Sequence, residues 1–151
     1  MFSRSSQKKK DSRLRLMNRT RDIEIAASIE VASSGAKRSK GLLGRDGLDP
    51  GTGIWIVPCE AVHTFGMRFA IDLIYLDRSH RIRKLCDSVP PWRISGCLRA
   101  HSVVELSAGA LRSSEVQVGD LVEFLPLDPV ESSAEAESTP IEPRGSNEGQ
   151  R

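Results

Sequence analysis

The sequence lacks the features that define several protein classes. Its 151 residues contain no apolar run near the roughly 18–20 residues of a membrane-spanning helix. The basic start, MFSRSSQKKK, is not followed by an apolar stretch, so we expect no signal peptide and predict a cytoplasmic location. The GxSxG, HExxH, P-loop and dinucleotide-binding motifs are also missing, so no sequence motif predicts an enzyme or a cofactor.

Cysteine is scarce, and its spacing excludes a scaffold held by disulfides. The three cysteines, Cys59, Cys86 and Cys97, are odd in number and far apart, and no CxxC pair occurs. A zinc ribbon and a thioredoxin-like motif are therefore unsupported. We expect reduced, buried thiols.

Neither charge sign dominates the chain, whose formal net charge is only +2. The ends differ, however: residues 1–13 are predicted to be a flexible basic tail, and residues 127–151 a disordered acidic tail rich in Pro, Ser and Glu. Residues 14–126 are predicted to be a single globular domain. Aromatic residues make up 5% of the chain and rarely interleave the basic ones, so there is no strong nucleic-acid signal.

Short β patterns occupy most of the predicted domain. Apolar residues alternate with polar or small ones over residues 23–31, which is typical of a strand with one buried face. Further strands are predicted at 54–57, 62–69, 71–76, 82–85, 103–106 and 121–125, and short helices at 33–45 and 108–114. Residues 89–99 are predicted to be a loop. The expected fold class is α+β and mainly β, a compact antiparallel sheet or small distorted barrel with two short helices.

Five segments resemble one known family when they are taken in order. They are GLLGR at 41–45, PCEAVHTFGMRFAIDLIYLD at 58–77, PPWR at 90–93, VELSAGAL at 104–111 and VGDLVEF at 118–124. This set resembles the domain of unknown function 192 family, also called uncharacterised protein family 0127. The resemblance covers about residues 14–126 and implies a shared fold. It implies no activity, because the family has no established one.

Polar residues inside apolar segments are the candidates for a ligand site. Asp72 and Glu105 each interrupt a predicted strand, and a buried acid needs hydrogen bonds or a cation. Arg45 or Arg68 could supply that cation to Asp72. One interpretation is a structural polar network of Arg45 and Asp72. The other is a ligand pocket, for which the candidate residues are His63, Arg68, Asp72, Trp92, Arg93 and Glu105.

Trp92 has its own two interpretations. It follows Pro90 and Pro91 and precedes Arg93, so a stiffened loop presents an aromatic ring beside a cation. Such a loop is typical of a recognition surface, although the ring could equally cover the core from outside. We expect the recognition role.

Cys59, His63 and Met67 are weaker candidates for a soft-metal site. Their side chains are the types that bind copper or zinc. On a single strand, however, residues four apart are about 13 Å apart, too far to share one ion. We therefore expect no metal.

The leading functional interpretation is a noncatalytic domain that binds a small polar or anionic ligand or a protein partner. The alternatives are an enzyme with a pocket around His63, Arg68 and Asp72, and a copper or zinc protein using Cys59, His63 and Met67.

Overall fold

A computed structural model describes residues 12–127. Apart from residues 12, 13 and 127, the predicted tails lie outside the described residues, so the domain boundaries stay predictions. In chain order the elements are β1 (Leu14–Asn18), β2 (Ile23–Ala32), α1 (Gly35–Lys40), β3 (Thr52–Ile56), β4 (Ala61–His63), β5 (Ile71–Leu76), β6 (Ile82–Val89), β7 (Ile94–Gly96), β8 (Ser102–Ser107), α2 (Ala110–Ser114) and β9 (Val122–Pro126). Among these residues the helices run for six and five residues, whereas a helix that crosses a bilayer needs about 20.

Seven of these strands form one curled sheet in the order β6-β5-β8-β3-β2-β1-β9. Only β2 and β3 pair in parallel; the other neighbours are antiparallel. The two edge strands meet at one corner, where the Ile82 N–H donates to the Asp120 carbonyl at 2.9 Å and Gly119 N–H donates to the Ile82 carbonyl at 2.8 Å. The predicted fold class, mainly β with two short helices, is confirmed.

Both faces of the sheet are buried at its centre. On β5, Ile74 and Leu76 belong to one apolar cluster, whereas Ile71, Leu73 and Tyr75 belong to a second on the opposite face. The central strands β3 and β8 approach very closely at Gly53. A Cβ atom there would lie 2.4 Å from the Glu105 carbonyl oxygen, so only glycine fits.

The second apolar cluster is covered by a separate two-stranded sheet that the sequence did not predict. The strand expected over 62–69 is wrong beyond His63, because the chain turns at Thr64 and Gly66 has a φ of +79°. The loop expected over 89–99 contains β7, which pairs antiparallel with β4. Long-range pairing of two three-residue strands leaves too little local pattern to be read from sequence.

Helix α1 is shorter than the predicted 33–45 segment. Ser34 caps it by accepting a hydrogen bond from the Lys37 N–H at 3.3 Å. Gly41 ends it with a φ of +45°, a left-handed conformation that favours glycine. This early stop brings the chain after α1 onto the second cluster, where Leu42 is buried.

Candidate functional site

Glu105 is the most unusual buried residue on the sheet. Alternation along β8 places it on the same face as Val103 and the second apolar cluster, with 5% of its surface exposed. Its Oε2 atom has no hydrogen-bond partner among the described residues. Burial raises the pKa of Glu105 to about 7, and the positive charge of Arg45 opposes that rise only in part. The site therefore holds a carboxyl group that is poorly satisfied by the protein itself.

A cavity of about 260 Å³ lies against Glu105, and we call it the Glu105 cavity. It is bounded by the end of α1, the residues after α1 and the chain that enters β4. Its walls include the basic residues Arg38 and Lys40 and the buried apolar residues Leu42, Ile56 and Met67. Charge of both signs and an apolar surface thus meet in one small space.

Gly41 keeps space open next to the Glu105 carboxylate. A Cβ atom at Gly41 would lie 3.6 Å from Glu105 Oε2 and 3.8 Å from the Ile56 Cδ1 atom. Any other residue at this position would occupy that space and would also strain the backbone. The glycine that ends α1 therefore also shapes the cavity.

The three predicted soft-metal residues do line this one cavity. Cys59 precedes β4, His63 ends β4, and Met67 follows the turn after it. The Cys59 thiol donates a hydrogen bond to the Ala61 carbonyl at 3.1 Å, and burial raises its pKa. Within residues 12–127 no three His, Cys, Asp or Glu side chains are grouped as metal ligands would be. Cys59, His63 and Met67 remain neighbours of the cavity rather than a demonstrated ligand set.

A row of three exposed rings extends along the surface from the cavity wall at His63 to Trp92. The His63 and Phe65 ring centroids are 5.2 Å apart, and those of Phe65 and Trp92 are 5.8 Å apart. Trp92 is 66% exposed, so its ring does not cover the core from outside. Arg93 is also exposed, and its Nη1 donates to the Trp92 carbonyl at 3.2 Å.

Buried Thr64 holds the Trp92 loop in place. Its hydroxyl donates to the Pro90 carbonyl at 2.8 Å and accepts from the Arg93 N–H at 2.9 Å. The Trp92 N–H donates to the Thr64 carbonyl at 3.0 Å, and Trp92 has a φ of +64°. The exposed ring therefore stands on a fixed backbone, in a conformation that costs energy for a bulky residue.

Asp72 lies away from the cavity and has a structural environment. It is fully buried, and its carboxylate accepts hydrogen bonds from the N–H groups of Ser88 (2.8 Å), Gly109 (3.0 Å) and Leu111 (2.9 Å). The arginine that could have paired with Asp72 is not among these partners, because three backbone N–H groups occupy the carboxylate. Asp72 thus fixes the start of α2 against β6.

The two arginines proposed as partners of Asp72 pair elsewhere. Arg45 Nη2 lies 2.8 Å from Oε2 of Glu30, a residue of β2. Arg68 is exposed and pairs with Asp46. Of the predicted ligand residues, the structure brings His63 and Glu105 to one cavity, with Trp92 and Arg93 beyond the ring row. It does not bring Arg68 and Asp72 there. The sequence did not predict that Arg38, Lys40 and Gly41 line the cavity. The pattern that could have indicated them is a basic helix end followed by a glycine.

The fold and the cavity together define a small, mainly β domain with one unsatisfied carboxyl group facing a mixed polar and apolar space. The sequence profile of the DUF192 family, described as "Uncharacterized ACR, COG1430", matches residues 16–124. The chain therefore belongs to the DUF192 family, as the sequence resemblance predicted.

A curated relative agrees with this assignment, and two solved structures share the fold. A UPF0127 protein of Pyrococcus abyssi is 30% identical over 117 residues, which cover 73% of this chain and 97% of that protein. A crystal structure from Sinorhizobium meliloti 1021, provisionally described as a transcription regulator, has a TM-score of 0.66 at 22% identity, covering 75% of this chain and 92% of that one. A protein of unknown function from Novosphingobium aromaticivorans has a TM-score of 0.64 at 18% identity, covering 74% and 83%. At these identities the structural likeness shows the fold alone.

Proposed function

We propose that this domain binds a small polar ligand in the Glu105 cavity. The observation that carries the proposal is the buried Glu105 Oε2 atom, which lacks a hydrogen-bond partner among the described residues while its side chain lines the cavity. A buried polar atom left unsatisfied costs about 1–3 kcal/mol. A ligand that donates a hydrogen bond to Oε2 removes this cost, and the free energy regained in this way favours binding.

The size and walls of the cavity limit the ligand. Its volume of about 260 Å³ is below the roughly 300–1,000 Å³ of pockets for drug-sized molecules, so the ligand is smaller than these. Arg38 and Lys40 favour an anionic group, and Leu42 and Met67 favour an apolar one. A small molecule with polar and apolar parts satisfies all of these walls.

The geometry supports binding better than catalysis. An enzyme using His63, Arg68 and Asp72 needs these side chains together, but only His63 lines the cavity. Burial raises the pKa of the Cys59 thiol, and a thiol with a raised pKa is a poorer nucleophile at neutral pH. The soft-metal alternative is kept as an outcome of the test, because Cys59, His63 and Met67 share this cavity.

We also keep the cytoplasm as the proposed location. Its support is that all three cysteines carry free thiols, which suit a reducing compartment, although the thiols are half-buried and not buried as expected. Detection of the full chain in cell fractions tests it, and recovery from an extracellular fraction would contradict it.

A ligand screen by saturation-transfer NMR tests the proposed binding. Amines, amino acids, carboxylates and polyols are tested against the full chain, against Glu105→Gln and against Glu60→Gln. The Glu105 variant keeps the size of the side chain and removes its charge. Glu60→Gln is the matched control, because Glu60 is exposed and is not a wall of the Glu105 cavity.

We expect at least one compound to bind the wild type and the control, and to bind Glu105→Gln at least about tenfold more weakly. The absence of any compound with this dependence on Glu105 contradicts the proposal. Stoichiometric copper(I) or zinc binding that is lost in Cys59→Ser, without an organic ligand, would favour the metal alternative instead.

A further inference from the structure

We propose that the ligand of the Glu105 cavity is a small zwitterion of the α-amino-acid type with an apolar side chain. This inference rests on the proposed function and names its ligand class. An α-amino acid carries an ammonium group, a carboxylate and a side chain on one carbon atom. The cavity presents a wall of matching chemistry for each of the three.

Glu105 provides the ammonium position. Its Oε2 atom lies 3.6 Å from the point where a Gly41 Cβ would stand, and the Arg38 carbonyl oxygen lies 3.9 Å from the same point. Two acceptors therefore converge on space that only a glycine leaves open. An ammonium group has three N–H donors and a positive charge, so it satisfies both acceptors and compensates the buried carboxylate.

The basic end of α1 provides the carboxylate position. Arg38 and Lys40 both line the cavity. The Arg38 Nη1 donates to the Ser33 carbonyl at 2.7 Å, which leaves the other guanidinium N–H groups for a ligand. A guanidinium has five N–H donors and pairs well with a carboxylate.

The remaining wall provides the side-chain position, since Leu42, Ile56 and Met67 are each at least 93% buried and line the cavity. This combination argues against simpler ligands. A plain amine would leave Arg38 and Lys40 without an anion, and a plain carboxylate would leave Glu105 without a cation. Only a ligand that carries both charges pairs with both walls.

Calorimetric titration of the full chain at about pH 7 tests the inference with leucine as the probe, because the amine of leucinamide, with a pKa of about 8, is then still mostly charged. N-acetyl-leucine removes the ammonium charge, and leucinamide removes the carboxylate. We expect leucine to bind and each analogue to bind at least about tenfold more weakly. Equal binding of leucine and either analogue overturns the inference, and so does undetectable leucine binding.

Variants connect each end of the ligand to its wall. In Glu105→Gln we expect leucine to bind weakly and N-acetylation to have little further effect, whereas Glu60→Gln should behave as the wild type. In Arg38→Gln we expect leucine to bind weakly and amidation of its carboxylate to have little further effect. An unchanged penalty for N-acetylation in Glu105→Gln contradicts the assignment of the ammonium to Glu105. The three wild-type titrations keep the inference testable even if a variant fails to fold.

The outcomes also separate the inference from the proposed function. If leucine does not bind but another compound from the screen binds in a Glu105-dependent way, the ligand class is wrong and the proposed function stands. If no compound binds in that way, both are wrong.

Discussion

Replacing Asp72 with alanine tests the structural role assigned to this carboxylate. The substitution removes three charge-assisted hydrogen bonds and leaves the N–H groups of Ser88, Gly109 and Leu111 without their acceptor. Each abandoned donor costs about 1–3 kcal/mol, least where water can reach it. Because the hydrogen bond to Leu111 is fully buried and the other two are partly buried, we expect a total loss of about 3–5 kcal/mol. Domains of this size have only about 5–15 kcal/mol of stability, so the loss is large.

Urea unfolding followed by tryptophan fluorescence measures this loss. Trp55 is half-buried and stacks on Phe124 with ring centroids 3.9 Å apart, so its emission reports on the core. The matched control is Asp46→Ala, which removes an exposed carboxylate that pairs with Arg68 away from Asp72, and we expect it to unfold close to the wild-type midpoint. Asp72→Asn keeps one acceptor oxygen and should lie between the two. A loss below about 1 kcal/mol for Asp72→Ala would refute the reasoning.

The remaining predictions concern Glu105, Trp92 and the C-terminal residues. Because burial raises the pKa of Glu105 from 4.5 to about 7, the native state keeps this proton when the unfolded chain has lost it, so stability falls from about pH 4.5 to pH 7 and then stays level. Glu105→Gln is expected to remove this dependence of stability on pH and to raise the free energy of unfolding at pH 8 by about 3 kcal/mol. Urea unfolding between about pH 4.5 and pH 8 measures both effects, and an unchanged dependence on pH would contradict the prediction. Trp92→Ala is expected to change the free energy of unfolding by no more than about 1 kcal/mol, because the ring is 66% exposed. A much lower melting temperature would show that the ring has a packing role. Deleting residues 127–151 is expected to change stability by no more than about 0.5 kcal/mol, because this Pro-, Ser- and Glu-rich segment has too little apolar content to pack. A clear fall in the melting temperature would contradict this.

The sequence by itself determined the fold class and most of the large sheet. The alternation over residues 23–31 corresponds to β2, and the apolar segments at 71–76 and 103–106 correspond to β5 and β8. These patterns are informative because each strand must bury its apolar side chains, a requirement that acts locally along the chain. The sequence also singled out Asp72 and Glu105, because an acid inside an apolar strand is costly wherever the strand packs.

Only the tertiary structure decided what these two acids do. Asp72 meets backbone N–H groups from β6 and the start of α2, whereas Glu105 meets a cavity and no donor among the described residues. The sequence around each acid is similar, an acid within Ile-Asp-Leu or Val-Glu-Leu, so no local signal distinguishes them. The difference arises from which distant segments pack over each face of the sheet. Over Glu105 the packing is set by the pairing of β4 with β7 and by the end of α1 at Gly41, and over Asp72 it is set by Ser88 of β6 and the start of α2. A buried polar group is satisfied by its neighbours in space and not along the chain.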